Sequence, residues 1–378
     1  MSIQDHSSLS PSQLAWRKLR ANQLALLGLF LILFFFVVAL FGPIIRPDKT
    51  PKANQQHLEL ARKSPAFNLD FLLLPSPNVS DRGLIKGWLY GFPQNFREIP
   101  VYQYELERAQ ILIEKYTGNT PNNGEKLTFP KGTWTAKGYA FSEDQIIQGK
   151  TFWLGTDRYG RDMLSRLMAG TWISFTVGFI AILISLFIGI TLGLLAAYYK
   201  GWLDELIMWF INVVWSIPTL LLVIAITLAL GKGFWQVFVA VGLTMWVEVA
   251  RVVRGQVMSV REMEYVEAGR SLGFRDFRIM WKHILPNVTG PIIVISASNF
   301  AAAILIEAGL SFLGLGAQPP QATWGKMISE HKGYIITGDA YLAIFPGIAI
   351  CLLVLSFVLL GNGLRDAFDT KSVKGVNL

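Results

Sequence analysis

The sequence predicts an all-α polytopic membrane protein with about six transmembrane helices. Only 16% of its 378 residues are charged, against about 25% in soluble domains, and its mean hydropathy is +0.41. Six segments are apolar over about 20 residues or more, the length that a helix needs to cross a bilayer core. Because these segments are continuously apolar, they are typical of helices rather than of the alternating strands of a membrane barrel.

The predicted spans follow one another with one long interruption. They are Ala21–Ile45, Thr171–Tyr199, Leu206–Gly231, Gly233–Val253, Val288–Leu315 and Ala340–Leu364. The fourth contains Glu248, which we expect to pair with Arg251 or Arg254 on the same helix, and the fifth contains Glu307. Prolines inside spans each remove a helix hydrogen bond, which either adjusts packing or bends a helix around a pathway. These prolines are Pro218, Pro291 and Pro346.

Lysines and arginines assign the two sides of the membrane. They precede the first span, fill the loop 255–287 between the fourth and fifth spans, and follow the sixth span. The positive-inside rule therefore places both termini and this loop in the cytoplasm. Residues 1–45 then form the cytoplasmic N-terminus and first span, 46–151 an enlarged extracytoplasmic loop domain, and 366–378 a cytoplasmic tail.

The loop domain 46–151 is the candidate for a folded subdomain outside the membrane, because it is long and rich in aromatic residues. Within it, Val101–Tyr116 is interpreted as a helix. The residues available for burial on that helix are Tyr104, Ala109, Ile111, Leu112 and Tyr116. Gly118–Gly124 is expected to be a turn or loop, and Lys126–Tyr139 a short hairpin.

Composition and motifs exclude several classes of function. Basic residues that flank membrane spans account for the net charge of +8, so we expect lipid and no nucleic acid as a partner. No G-x-x-x-x-G-K-[ST] phosphate loop is present, so we expect no ATP hydrolysis by this chain. The four histidines have no metal-ligand spacing, and we expect no metal, no cofactor and no catalytic residue in this chain.

The charged stretch Glu264–Asn287 predicts a helical loop between two spans. Glu264–Leu272 forms about two turns, which place Tyr265, Ala268, Gly269 and Leu272 on one face that a partner could approach closely. Gly273 is expected to end this helix as a left-handed cap. A second helix would run from Asp276 to His283, and Pro286 fits the first turn of the next span.

This arrangement resembles the cytoplasmic "EAA" loop of the permease subunits of ABC importers. The residues that match at the spacing of that motif are Glu267, Ala268, Gly273, Leu285 and Pro286, and Gly269 replaces its second alanine. The resemblance implies that the loop is a coupling helix, which docks on a separate ATPase subunit. The residues to which it assigns this role are Glu264, Glu267, Ala268, Gly269, Gly273, Leu285 and Pro286.

Three further segments are similar to the oligopeptide, dipeptide and nickel branch of these permeases. They are Leu154–Arg166, Glu307–Gly316 with the following Ala322–Gly325, and Gly363–Asp369. The resemblance implies a permease core over 152–365 in a bacterial inner membrane. It also implies a second homologous permease, two ATP-binding subunits that hold ATP and magnesium, and an extracytoplasmic substrate-binding protein. Residues 46–151 have no counterpart of this length in typical members.

Polar residues inside the spans are candidates for a pathway wall or for ordinary helix packing. They are Asn212, Trp215, Ser216, Thr244, Ser296 and Asn299. Glu307 is either a hydrogen-bonded structural acid or part of the pathway wall, where it would meet the ammonium group of a peptide. Before the second span, Asp157, Gly160, Arg161 and Asp162 form either a turn, with Thr156 or Asp157 capping the next helix, or an outer gate.

We therefore hypothesise a non-catalytic, membrane-spanning subunit of an ATP-driven ABC importer for oligopeptides or dipeptides. The alternative is a secondary transporter driven by an ion gradient, which would require inverted repeats and buried ionisable groups near the midplane. The residues of the sequence leave the cargo open among peptides, nickel complexes and other solutes.

Overall fold

The computed structural model describes residues 11–76, 83–118, 120, 122–135, 142–231 and 233–368. These residues form two compact units. The first unit comprises Met1–Phe36, Ile173–Gln318 and Gly347–Leu378, and the second comprises Val37–Trp172 and Pro319–Pro346. The predicted loop domain 46–151 lies within the second unit. The part of the predicted tail that follows Phe368 lies outside the described residues. The end of the predicted hairpin, at 136–139, also lies outside them.

The predicted spans are helices. A short amphipathic helix α1 (Pro11–Ala21) precedes the first span. The spans are α2 (Gln23–Ile45), α6 (Met163–Tyr199), the pair α7 (Gly201–Trp215) and α8 (Thr219–Leu230), α9 (Phe234–Val260), α12 (Thr289–Phe312) and α14 (Tyr341–Phe368). Among the described residues, five helices are long and apolar enough to cross a membrane, or six spans if the pair is one broken span. The polytopic helical fold class is thus confirmed.

The third span is not the continuous helix that the hydropathy predicts. Helices α7 and α8 are bent by 91° at Ser216–Pro218. Pro218 has no N–H to donate and disfavours helical geometry in the residue before it, so the helix ends at Trp215. By contrast, Pro346 lies inside the unbroken α14, and Pro291 lies in the first turn of α12, where its missing N–H costs little.

Small residues bring α6 and α9 close together in the first unit. A Cβ added at Gly189 would lie 2.6 Å from the Cβ of Val249, and one at Gly193 would lie 2.7 Å from the carbonyl oxygen of Ala250. Close packing of this kind is how helices associate in lipid, where there is no hydrophobic driving force between them. It makes α9 the central helix of this unit.

The second unit contains an antiparallel sheet, which the sequence did not predict. Its strands are β1 (Phe67–Pro75), β2 (Phe96–Leu106), β3 (Gln110–Lys115), β4 (Lys126–Pro130) and β5 (Ile147–Phe152), in the order β4-β3-β2-β1-β5. Three short helices lie between strands: α3 (Leu84–Tyr90), α4 (Gly132–Thr135) and α5 (Glu143–Ile146). The all-α class therefore describes the membrane helices, and the loop domain adds a sheet to them.

The predicted helix Val101–Tyr116 is wrong. This segment is the end of β2 and all of β3, joined by a tight turn in which the N–H of Glu107 donates to the carbonyl of Gln110 over 3.0 Å. Ile111 and Ile113 are buried on alternate positions, which is the strand period, whereas Ala109 is exposed in the turn. The predicted hairpin over 126–139 is also wrong in its described part, because Lys126–Pro130 is a single strand paired with β3.

Both faces of the sheet are covered, because adjacent residues of a strand point to opposite faces. On one face, Leu72 packs with Ile111 and Trp134 of α4. On the other, Phe71 packs with Leu60 and Phe152. The indole N–H of Trp134 donates to the carbonyl oxygen of Leu73 over 2.7 Å, which ties α4 to the centre of β1.

Replacing Trp134 by alanine should destabilise the sheet by about 3–5 kcal/mol, since a fully buried indole and its hydrogen bond are both lost. Limited proteolysis of the purified protein should show faster cleavage between β3 and β4. Trp153, which is 63% exposed, offers the matched control, and its alanine variant should be cleaved at the rate of the wild type. Equal protection of both variants would contradict the packing described for Trp134.

Candidate functional site

The loop between α9 and α12 begins with helix α10 (Glu264–Ser271). The helix ends where the N–H of Gly273 donates to the carbonyl of Arg270 over 2.9 Å and the N–H of Phe274 donates to that of Gly269 over 3.1 Å. Gly273 has a φ of +74°, as the predicted left-handed cap requires. The helix is therefore a short, sharply terminated element.

The two faces of α10 differ in burial. Val266 and Gly269 are buried in the first unit, where Val266 packs with Val257 of α9. Tyr265 and Leu272 are 44% and 73% exposed. Glu264, Glu267 and Ala268 are also exposed. Placing Gly269 on the exposed face was wrong, because the chain turns that side of the helix towards Phe274.

The second half of the loop anchors α10 to the spans. It comprises α11 (Asp276–Arg278), a π-helical turn (Ile279–Ile284) and a 3-10 turn (Leu285–Val288) that contains Pro286 near its start. Ile279 and Ile284 are buried in the same cluster as Val257 and Val266. The phenol of Tyr198 on α6 donates to Asp276 over 2.7 Å. These contacts join the loop to α6 and α9.

An ion pair joins the start of α7 to the end of α9. The Nε and Nη2 atoms of Arg254 each donate to one carboxylate oxygen of Asp204 over 2.6 Å. Such bidentate pairs are the strong class of charge-assisted hydrogen bond. Arg254 therefore has Asp204 as its partner, and not the predicted Glu248.

Removing either charge of this pair should lower the melting temperature of the detergent-purified protein, because the other charge is left partly buried and unpaired. We expect a cost of about 1–3 kcal/mol for Arg254→Ala or Asp204→Ala. The reciprocal exchange Asp204→Arg with Arg254→Asp should recover part of the loss. If the single variants had the melting temperature of the wild type, the pair would not hold α7 against α9.

Arg251, the other predicted partner of Glu248, is also engaged elsewhere. Its Nη2 donates to the side-chain oxygen of Asn212 over 2.9 Å, and its guanidinium carbon lies 3.5 Å from the ring centroid of Trp215. Glu248 has no ion pair and no hydrogen bond from its side chain among the residues that the structure describes. The predicted intrahelical pair is thus wrong.

A cavity of about 150 Å³ lies at the break of the third span. It is lined by Trp215 and Ile217 at the break, by Thr244 and Glu248 of α9, and by Ile306 of α12. Two of the predicted pathway residues, Trp215 and Thr244, therefore meet here. The hydroxyl of Thr244 donates to the carbonyl of Val241 over 2.9 Å, so Glu248 is the ionisable group that this wall presents.

The other pathway candidates lie outside this cavity. Ser216 and Ser296 each donate to a backbone carbonyl of their own helix, at 2.8 Å and 2.7 Å. Asn299 is buried, with its amide nitrogen unpartnered among the described residues. Glu307 is buried and accepts a hydrogen bond of 2.6 Å from Ser311, in agreement with its interpretation as a hydrogen-bonded structural acid. Sequence reasoning overlooked Glu248 as a wall residue, although a charge inside a span was the signal.

In the second unit, Asp157–Asp162 forms a tight turn. Asp157 is fully buried and accepts hydrogen bonds from the N–H groups of Tyr159 and Arg161 and, over 2.6 Å, from the Arg161 guanidinium. Gly160 has a φ of +69°. Arg161 also reaches Glu330 on α13 (Trp324–His331) at 3.5 Å. These contacts favour the structural role of the turn.

The residue that caps α6 is Asp162, and not the predicted Thr156 or Asp157. One of its carboxylate oxygens accepts from the N–H and the hydroxyl of Ser165, three residues on. Burial raises the pKa of Asp162 and these hydrogen bonds oppose the rise. The hydroxyl of Thr156 instead accepts from the N–H of Lys63 over 2.8 Å, which connects the start of the turn to an earlier part of the chain.

Two family models match the chain. Residues 189–374 match the binding-protein-dependent transport system inner membrane component, and residues 10–65 match the N-terminal transmembrane domain of oligopeptide transport permease C. The first match contains α10 and the residues that line the cavity at the third span.

Curated relatives are similar over most of their own length. A dipeptide transport system permease protein of Bacillus subtilis is 33% identical over 96% of this chain and 87% of its own. A glutathione transport system permease protein of Pectobacterium atrosepticum is 43% identical over 61% of this chain and 77% of its own. A solved structure of the MetNI methionine ABC transporter in inward-facing conformations covers 54% of this chain and 97% of its own, with 18% identity and a TM-score of 0.46.

Proposed function

This chain belongs to the binding-protein-dependent transport system inner membrane component family, and on that premise we propose that it imports short peptides. It is a multi-pass inner-membrane permease subunit of an ABC importer and is not itself a catalyst. With a second homologous permease it forms the translocation pathway. Two ATP-binding subunits, which hold ATP and magnesium, drive the pathway, and an extracytoplasmic binding protein delivers the cargo. The family favours this function over the ion-gradient alternative.

The exposed apolar face of α10 and the following turn is the observation that carries the coupling role. Leu272 is 73% exposed, Phe277 is 68% exposed and Trp281 is 43% exposed, all in the segment between α9 and α12. Large apolar side chains that cluster on a surface mark an interaction site. Glu264, Glu267 and Arg270 lie on the same helix and would set the register of the partner.

In the proposed mechanism, α10 moves as part of the ATPase surface on which it docks. The ATP-binding subunits supply the free energy of the cycle when they bind and hydrolyse ATP. In this chain, the buried contacts of Val266, Ile279 and Ile284 carry the motion of α10 to α9 and α12. Cargo shifts the equilibrium between inward- and outward-open states only through its different affinity for the two.

The pathway of this subunit runs past the broken third span. Non-helical backbone within a membrane is tolerated where it lines a cavity or is buried in protein, and the break at Ser216–Pro218 borders such a cavity. Trp215, Thr244 and Glu248 supply polar atoms to its wall. Two of the other candidates, Asn299 and Glu307, are buried inside the chain and serve as structural polar groups.

Relatives named for dipeptide and glutathione transport support a peptide cargo. Both termini and α10 lie in the cytoplasm by the distribution of basic residues. The loop domain 46–151 then lies outside, where its sheet offers a surface to the binding protein. Deleting the domain should weaken binding-protein affinity, and unchanged affinity would remove the docking role.

The function is tested with the complete importer in proteoliposomes. ATP-dependent uptake of labelled dialanine is expected, and it should stop when ATP is replaced by ADP. Leu272→Arg should abolish uptake and the co-purification of the ATPase subunits, because a charge replaces an apolar contact. Leu58→Arg, at a residue of similar exposure (67%) in the second unit, is the matched control. Uptake without ATP, or ATPase binding by the Leu272 variant, would overturn the proposal.

A further inference from the structure

Glu248 is a carboxylate in the middle of a span, and no side chain among the described residues pairs with it. It lies near the centre of α9, and a charge at the centre of a bilayer costs at least about 2.5–3.5 kcal/mol. Its two basic neighbours are committed, Arg254 to Asp204 and Arg251 to Asn212 and Trp215. A carboxylate in this position must therefore meet water, another chain or a ligand.

Helix α9 is the most buried of the five candidate spans among the described residues. In its most apolar stretch 67% of residues are buried inside the chain, against 22% in α2. Between Val237 and Val253 only Leu243 and Glu248 are exposed. An exposed acid on this mostly buried helix therefore indicates a surface that faces water or another chain rather than acyl chains.

The surroundings of Glu248 suit a cation. It shares a cavity of about 150 Å³ with Trp215, which is 60% exposed. An indole beside a carboxylate attracts ammonium groups through the negative face of its ring as well as through charge. The guanidinium of Arg251 lies over one face of that indole, 3.5 Å from the ring centroid. Its Nη2 donates to Asn212, and it makes no ion pair with Glu248 among the residues that the structure describes.

We propose that Glu248 binds the amino-terminal ammonium group of the peptide as it passes through this subunit. The inference rests on the proposed peptide cargo and names the end of the peptide that this chain recognises. The ammonium replaces the missing counter-ion of Glu248 in the cargo-loaded state only. The free carboxylate is then destabilised when the pathway closes without cargo, which favours closure around a loaded site.

The test compares a peptide that carries the ammonium group with one that lacks it. Uptake of dialanine and of N-acetyl-dialanine is measured in proteoliposomes that contain the complete importer. Rates are expressed per loaded binding protein, so that selection by that protein does not enter. The variants are Glu248→Gln, which keeps the shape and removes the charge, Glu248→Asp, which keeps the charge, and the exposed control Glu105→Gln.

We expect Glu248→Gln to lower dialanine uptake about tenfold or more, since losing a charged hydrogen bond of about 1.5–3 kcal/mol has that effect. Uptake of the acetylated peptide should be unchanged. Glu248→Asp and Glu105→Gln should keep the preference of the wild type. An unchanged ratio of the two rates in Glu248→Gln would overturn the inference and leave the importer function standing.

Two other outcomes are distinguishable. If Glu248→Gln lowers both rates equally and the second permease no longer co-purifies, Glu248 contacts that subunit and the ammonium role is wrong. If the wild type takes up neither peptide with ATP, the peptide-import function itself fails, and the inference fails with it.

Discussion

Replacing Gly273 by valine is expected to abolish ATP-driven uptake while leaving the protein inserted and folded. The residue has a φ of +74°, where an L side chain costs about 1–2 kcal/mol and a β-branched one more. A Cβ there meets no atom within 4 Å, so the whole effect comes from the backbone. The strain is relieved by opening the turn after α10. The turn places Phe274 beside His283, with ring centroids 5.7 Å apart, and so connects α10 to the second half of the loop.

Three measurements separate loss of coupling from loss of folding. Uptake and ATPase activity are measured together, and the Gly273→Val complex should hydrolyse ATP without moving cargo. Gly273→Asn should retain most uptake, because asparagine tolerates the left-handed conformation. Gly347→Val in α14, where a Cβ also meets no atom within 4 Å, should behave as the wild type. Normal uptake by Gly273→Val would show that the cap is not needed to transmit motion.

The second large effect is expected from Gly160→Ala, which should unfold the turn before the second span. A Cβ at this position would lie 1.6 Å from the carbonyl oxygen of His57, and the residue has a φ of +69°. Because the obstacle is backbone, no change of rotamer can relieve the clash. We expect a cost of about 4 kcal/mol, which is at the upper end for a single substitution. Asp157 and Arg161 would then lose their shared hydrogen bonds in the interior.

Hydrogen exchange measures this change directly. Amides of the turn, such as those of Asp157 and Gly160, should lose their protection in Gly160→Ala. Gly132→Ala is the matched control in the same unit, since a Cβ there meets no atom within 4 Å and should leave exchange unchanged. A double variant with His57→Ala should not recover protection, because the clash is with the main chain. Recovery would show that the side chain of His57, and not its carbonyl, limits the site.

Local signals predicted the helix and the glycine cap of the loop between α9 and α12 well, because this geometry is set within a few residues. Gly273 is at a position where only a left-handed residue can end α10, and Pro286 is tolerated at the start of a helical turn. The orientation of Gly269 was predicted wrongly for a different reason. Helical spacing shows which residues share a face, but which face is buried depends on Val257 and Phe274 outside the helix.

The loop domain, by contrast, was predicted wrongly from its local sequence. Val101–Tyr116 has an apolar pattern that suits a helix, and its strands are stabilised by β1, β4 and the side chain of Trp134, which are distant in the chain. Strand propensity depends on such cross-strand neighbours more than on the segment itself. A single sequence does not supply those neighbours, so the sheet and its register were beyond local reasoning.

The sequence by itself determined that the chain crosses a membrane several times, where the spans lie and which loop carries a short capped helix, because hydropathy, span length and caps are local properties. Only the tertiary structure decided the rest: the 91° break of the third span as a cavity wall, the pairing of Arg254 with Asp204 and the isolation of Glu248. The physical reason is that several possible partners compete for each charged side chain. A charged side chain binds the best partner within reach, and that partner belongs to another helix.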